Sequence, residues 1–234
     1  MPNTFVLVHG AWHGGWCWRR VADRLTARGH TVFTPTLTGL GERSHLLAKG
    51  IDVSTHATDV VNVFKYERLK DAVLCGHSYG GLVVSSVADQ IAPSISSIVF
   101  LDAFLPDDGD SMMDLTGQAV IDATHAAQAA GALGVAPRKA EAFAVNEKDR
   151  AWVDSLTGLQ PIGCFFEKLK LSGARDRIAK KAYIRAADYA NPGFDKALAR
   201  VKSDPSWRTY DVPCGHDVMV DMPERLAEIL EEVA

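Results

Sequence analysis

Short unbroken apolar runs alternate along this chain with stretches in which apolar residues recur every three or four positions. Phe5-Val6-Leu7-Val8, Thr31-Val32-Phe33-Thr34, Ala72-Val73-Leu74-Cys75 and Ser97-Ile98-Val99-Phe100-Leu101 are of the first kind. Each predicts a strand, and the continuous run Phe5–Val8 one buried on both faces of a parallel sheet. Between them, Val21 and Leu25 stand one helical turn apart, with Gly29 where a helix C-terminal glycine belongs. Ala57, Val60, Val61 and Phe64 mark one face of a second helix, expected to be capped by Ser54 or Thr55. Ala182-Tyr183-Ile184-Arg185 and Trp207-Arg208-Thr209-Tyr210 predict a fifth and a sixth strand. Leu226, Ile229, Leu230 and Val233, after Pro223, predict the last helix. Alternating strands and helices imply an α/β fold with a six-stranded, mostly parallel, doubly wound sheet, whose right-handed crossovers carry loops to the carboxyl ends of the strands.

The rhythm breaks after the fourth strand. Residues 107–180 hold an alanine-rich helical stretch from Gln118, a middle marked by Gly131, Gly134 and Pro137, and a helical piece from Arg150 to Leu156. This segment is expected to be a helical cap, with residues 1–106 and 181–234 forming the core. Most of its large apolar residues (Met112, Met113, Phe143, Trp152, Phe165, Phe166) are expected in the cap's own core, with some facing a pocket.

Composition narrows the class further. At 234 residues and 47% hydrophobic, the chain can fill one sizeable core. A formal net charge of −4 without a basic stripe argues against a nucleic-acid partner. The four cysteines are scattered with no C-x-x-C pair, which fits free thiols in a reducing compartment. No leader pattern precedes the first strand and no run approaches 18 apolar residues, so a cytoplasmic protein with no membrane partner is expected. The eight histidines show no metal-ligand spacing, and neither a metal nor a cofactor is expected. Oligomeric state is open, a homodimer being one arrangement.

The chemistry concentrates at Gly76-His77-Ser78-Tyr79-Gly80, between a strand and a helix. A G-x-S-x-G turn in that context is a nucleophile elbow: the serine occupies a strained corner, and the glycines let neighbouring backbone pass. A serine hydroxyl needs a base to become a useful nucleophile. His216, between the last strand and the last helix, is the candidate; His77 and His9 are expected to be structural. Two aspartates fit the order serine, acid, histidine. Asp188 follows the fifth strand, where this architecture most often places the acid, whereas Asp102 ends the fourth strand, beside the elbow strand. An aspartate directly after Ile98-Val99-Phe100-Leu101 needs a charged or hydrogen-bonded partner to be tolerated there, so Asp102 is preferred and Asp188 retained. The N–H groups of Ala11 and Tyr79 are the expected oxyanion donors, and Gly10, Trp12, Phe104 and Trp152 the candidate substrate contacts.

The stretch from Phe5 to Trp16, the elbow, Phe100 to Asp107 and Gly215-His216 together resemble the α/β-hydrolase superfamily, in particular the branch of plant methyl esterases, hydroxynitrile lyases and their bacterial relatives. The resemblance implies an α/β-hydrolase fold and a cofactor-free serine esterase acting through an acyl-enzyme on a small, partly apolar ester. The lyases of that branch carry threonine where this chain has Gly10 and lysine where it has Asp217, so hydrolysis is favoured over cyanohydrin cleavage. Plant members place the acid in an Asp-rich segment after the fifth strand, of which only Asp188 remains here. A lyase on the same scaffold and a non-catalytic ligand-binding receptor are the alternatives.

Overall fold

In the computed structural model, which describes residues 1–234, the chain runs β1 (Thr4–Val8), α1 (Arg19–Ala27), β2 (Thr31–Phe33), α2 (Val53–Tyr66), β3 (Ala72–His77), α3 (Gly80–Ile91) and β4 (Ile95–Leu101). The intervening segment carries α4 (Met112–Leu115), α5 (Gln118–Ala129), β5 (Gly134–Val135), α6 (Glu147–Leu156), β6 (Gln160–Pro161) and α7 (Gly163–Phe166). The sheet resumes with β7 (Lys180–Ala186), α8 (Pro192–Lys202) and β8 (Trp207–Val212), and the chain ends in α9 (Val218–Asp221) and α10 (Pro223–Glu232).

The main sheet has six strands in the order β2-β1-β3-β4-β7-β8, every neighbouring pair parallel. This is the sheet that the α/β-hydrolase resemblance implies. From β1 the chain moves outward to β2, then crosses back to β3 and proceeds the other way, so strand order reverses between β1 and β3. A crevice opens at such a reversal, outside the carboxyl ends of the strands. The loops that begin at His9 and Ser78 leave β1 and β3 at that point.

The central strands justify the reading from unbroken apolar runs. β3 is buried at all six positions, and β1 at every position but its first. Phe5, Leu7, Leu74, Phe100 and Tyr183 are among the largest fully buried side chains of a core that continues into the segment between β4 and β7.

Two local expectations are corrected. The cap of α2 is Asp52, not Ser54 or Thr55: Asp52 is extended and accepts from the Thr55 N–H at 2.8 Å, while Thr55, already helical, completes a capping box. The segment between β4 and β7 is also not wholly helical, because Gly134–Val135 and Gln160–Pro161 pair antiparallel. Two residues per strand leave no periodicity to read.

Candidate active site

The backbone at the end of β3 turns sharply. Ser78 has φ of 53°, a left-handed conformation that costs a non-glycine residue about 1–3 kcal/mol. Surrounding bonds hold it: its N–H donates to Leu101 O at 3.1 Å, and its carbonyl accepts from Gly81 N at 3.0 Å and Phe104 N at 3.2 Å. A Cβ on Gly76 would lie 2.5 Å from Gly80 O, so the tight passage from strand to helix requires the glycine. Helix α3 begins at Gly80, directly behind the serine, with its positive dipole end toward that corner.

Asp102 continues β4 into a second left-handed corner, φ 40°, and is fully buried. Its Oδ2 stands 2.6 Å from His216 Nδ1. Its Oδ1 accepts from Arg185 Nη1 at 2.6 Å and from the Ala186 N–H at 3.1 Å. A buried carboxylate is tolerable only with partners of this kind, and both come from the neighbouring strand β7. Burial works to lower the Arg185 pKa, but the Asp102 and Asp195 carboxylates carry it above its ordinary value. Because the carboxylate accepts at Nδ1, His216 holds its proton there and keeps Nε2 free. The ring lies among Phe143, Tyr189 and Phe194, with centroids 5.6, 4.6 and 5.4 Å away, and the His216 N–H donates to Phe143 O at 2.9 Å.

Asp188, the other candidate acid, is not brought to the histidine. Its backbone N–H pairs with Cys214 O at 3.1 Å, while its side chain points into solvent. The strand that an acid at 188 would have followed contributes Arg185 and Ala186 to Asp102 instead.

The loop after β1 faces the elbow. The N–H groups of Ala11 and Tyr79 donate to no other group of the protein, so both are available to an anion. A Cβ on Gly10 would lie 2.9 Å from both Ser78 Cβ and His77 Nδ1, which is the close approach the glycine permits. Gly10 therefore sets a distance and is not itself a wall of the cavity. Trp12, at φ 66°, is pinned by Gln160 Oε1, 3.0 Å from its N–H, and by Val135 O, 3.0 Å from its indole N–H.

Ser78 and His216 line one cavity of about 300 Å³ with Trp12, Phe104, Met112, Phe143 and Phe194. Trp152, the fourth expected substrate contact, does not reach it. Its ring meets Trp16 edge to face at 5.2 Å and lies beneath the Arg20 guanidinium at 5.0 Å, because α6 turns that face toward the 3-10 turn at residues 15–18. Arg138, Tyr189 and Asn191 add polar groups to the cavity rim that sequence reasoning missed. Charge or aromaticity in loops carries no period, so only three-dimensional placement reveals them.

A second group of ionisable residues lies behind the site. His77 is fully buried, and its Nε2 donates to His216 O at 3.0 Å; burial first, then the nearby His216, hold it well below the usual histidine range. His9 accepts from Leu37 N at Nε2 and lies 2.8 Å from Gly10 O at Nδ1, with burial pushing its pKa down to about 3. Asp217 and His13 pair at 3.1 Å, both buried.

A family model described as alpha/beta hydrolase matches residues 5–229. The chain is similar to the carbendazim hydrolyzing esterase of Nocardioides sp. (strain SG-4G), with 43% identity over 97% of this chain and 98% of that protein. Methylesterase 2 of Arabidopsis thaliana is 40% identical over a shorter stretch, 44% of this chain and 40% of the relative. Among solved structures, an extracellular alpha/beta-hydrolase from a Paenibacillus species, described as sharing structural and functional homology with tobacco salicylic acid binding protein 2, matches with a TM-score of 0.87. That structure has 26% identity and covers 100% of this chain and 99% of that one.

Proposed function

The chain belongs to the alpha/beta hydrolase family and hydrolyses carboxylic esters, and on that premise we propose a serine mechanism run by Ser78, His216 and Asp102. The observation that carries it is the 2.6 Å contact of Asp102 with His216 Nδ1, which leaves Nε2 free on a ring lining the same cavity as Ser78. In this reading Nε2 takes the Ser78 proton as Oγ attacks the ester carbonyl. The tetrahedral oxyanion is held by the N–H groups of Ala11 and Tyr79, and the positive end of α3 adds to their field. His216 returns the proton to the departing alcohol, leaving an acyl-enzyme. A water then attacks the acyl carbon as Nε2 takes its proton, and collapse of the second tetrahedral adduct breaks the bond to Ser78 Oγ, which receives that proton from Nε2 as the acid leaves. Asp102 fixes the tautomer and stabilises the imidazolium, and Arg185 holds Asp102.

Trp12, Phe104, Phe143 and Phe194 supply flat apolar walls, which support a small, partly apolar ester as substrate. Carbendazim, named for the relative that is 43% identical over nearly the whole chain, is the first compound to assay. Residues 107–180 act as the cap, since Met112, Phe143 and the start of α5 all contribute to the cavity. No helix is long and apolar enough to cross a membrane. The four unpaired cysteines support a reducing, cytoplasmic setting. Gly10 and Asp217 stand where the resembling lyases carry threonine and lysine, which weighs against cyanohydrin cleavage.

Turnover of a chromogenic short-chain ester tests the reading. Ser78→Ala is expected to lower kcat by about 10⁶, with burst kinetics in the parent enzyme lost. Full turnover by Ser78→Ala would overturn the serine mechanism, and ligand binding without turnover by the parent would favour a receptor.

A further inference from the structure

His13 and Asp217 take no part in the proton transfers above, yet both are buried beside them. The His13 ring stacks on Trp16 at 5.3 Å and is 2% exposed; Asp217 is fully buried. His13 Nδ1 stands 2.8 Å from Ala11 O, and Nε2 stands 3.1 Å from Asp217 Oδ2. A backbone carbonyl only accepts, and so does an ionised carboxylate. Satisfying both bonds therefore requires N–H at both ring nitrogens, that is, an imidazolium. Other ionisable groups around the pair are His77 from β3, with Nε2 3.9 Å from Asp217 Oδ1, His216 and Asp221 on either side of Asp217 in the chain, His9 before the turn, and Cys17 from the 3-10 turn. Burial works to lower the His13 pKa, but the Asp217 carboxylate outweighs it and the net direction is upward. Asp217 moves downward for the reciprocal reason.

The pair joins two loops that are 204 residues apart in sequence. One end holds the carbonyl of Ala11, the residue whose N–H faces the elbow. The other end is the residue directly after His216. Between Ala11 and His13 lies the left-handed Trp12, whose conformation persists only while its surroundings enforce it.

We propose that the His13–Asp217 ion pair is a positioning device for ester hydrolysis, holding the Ala11 N–H in register with the His216 ring. This rests on the reading of Ser78, His216 and Ala11 given above. His13 and Asp217 touch no reacting atom; they act through Ala11 and His216. Removing the clamp lets the turn at Trp12 relax, and the oxyanion loses a donor that the ground-state ester hardly uses.

Two measurements test this. With ¹⁵N-histidine labelling at pH 7, His13 of the parent enzyme is expected to show both ring nitrogens protonated; a neutral tautomer would overturn the pair. In Asp217→Asn, kcat is expected to fall about 100-fold, the scale of one lost oxyanion donor, with KM changed by less than about threefold. Binding of a boronic-acid inhibitor, which mimics the tetrahedral adduct, is expected to weaken in parallel. An unchanged kcat in a folded variant would show a purely structural pair and sink the proposal. Should Asp217→Asn not fold, His13→Gln, which keeps one amide donor, is read by the same split between kcat and KM. The tautomer does not depend on which residue is the nucleophile. Failure of the serine mechanism would appear instead as turnover by Ser78→Ala.

Discussion

Two buried aspartate–histidine pairs lie at the carboxyl end of this sheet, and they differ in what the histidine can do. Asp102–His216 closes at 2.6 Å, with the carboxylate's second oxygen given to Arg185 and Ala186 and the ring exposed to the cavity through a free nitrogen. Asp217–His13 closes at 3.1 Å, with the ring's second nitrogen given to Ala11 O. In the first pair the carboxylate is fully partnered and the histidine has a hand free. In the second the histidine is fully partnered, and it is the Asp217 Oδ1 that lacks a hydrogen bond. One arrangement suits a ring that must gain and lose a proton each turnover; the other suits one that must never do so.

The sharpest way to break this comparison is at Asp102. Asp102→Asn is expected to lower kcat by about 10⁴, because the amide no longer enforces the tautomer that frees Nε2. It also leaves Arg185 with Asp195 as its remaining anion. Steady-state kinetics on folded protein would check it, and a loss of less than tenfold would remove Asp102 from the mechanism.

The sealed pair predicts a pH signature instead. His13, raised in the fold, stabilises fully below the unfolded histidine value near about 6.5, and that contribution is lost as pH rises through its folded value. Asp217, lowered in the fold, stabilises above about 4, with the contribution lost as pH falls through its folded value. His9, His56 and His77 are all lowered by burial, so the unfolded chain alone gains their three protons as pH falls below about 6.5. Stability from urea denaturation is thus expected to peak near about pH 7, where the three protons taken up by the unfolded chain no longer outweigh the one held only by the folded chain. It should fall on the acid side by up to about 4 kcal/mol per unit, three protons' worth, and on the alkaline side by at most about 1.4 kcal/mol per unit, until pH passes the folded value of His13. Asp217→Asn should flatten the alkaline arm and leave the acid arm. A parent enzyme without that arm would contradict a charged His13. The smallest effect is expected at the exposed Asp188, where Asp188→Asn should change kcat by less than about twofold.

How far the chain could be read follows from where side-chain periodicity exists. Strands such as Ala72–His77, apolar from Ala72 to Cys75, are buried at every position because a parallel sheet covers both faces, and that pattern appears directly in the residues. Ser78 and His216 were legible because an elbow and a post-strand loop have fixed places in the order of elements. For Asp102 the clue was its need for a partner. Arg185, a charge inside the otherwise apolar strand Ala182–Ala186, was the matching signal and went unread. The segment between β4 and β7 was legible only at α5 and α6, since its remaining helices and strands run two to four residues, too short for a period. Trp152 lies on the legible α6, but a period says which residues share a face and not which neighbour that face meets, here Trp16 and Arg20. Phe143, Tyr189 and Phe194 reach His216 from three separate parts of the chain, a convergence that no local pattern carries.

The four buried cysteines give the molecule built-in clocks. Cys75 sits in the central strand, Cys164 in α7 against Ile51 and His56, and Cys214 in the loop that carries His216. Burial pushes the thiols of Cys164 and Cys214 up to about 12 and raises that of Cys75. Each is therefore inert to a thiol reagent until its own region opens. The labelling rate at Cys164 times the opening of the cap, that at Cys214 the excursions of the histidine loop, and that at Cys75 the unfolding of the whole sheet.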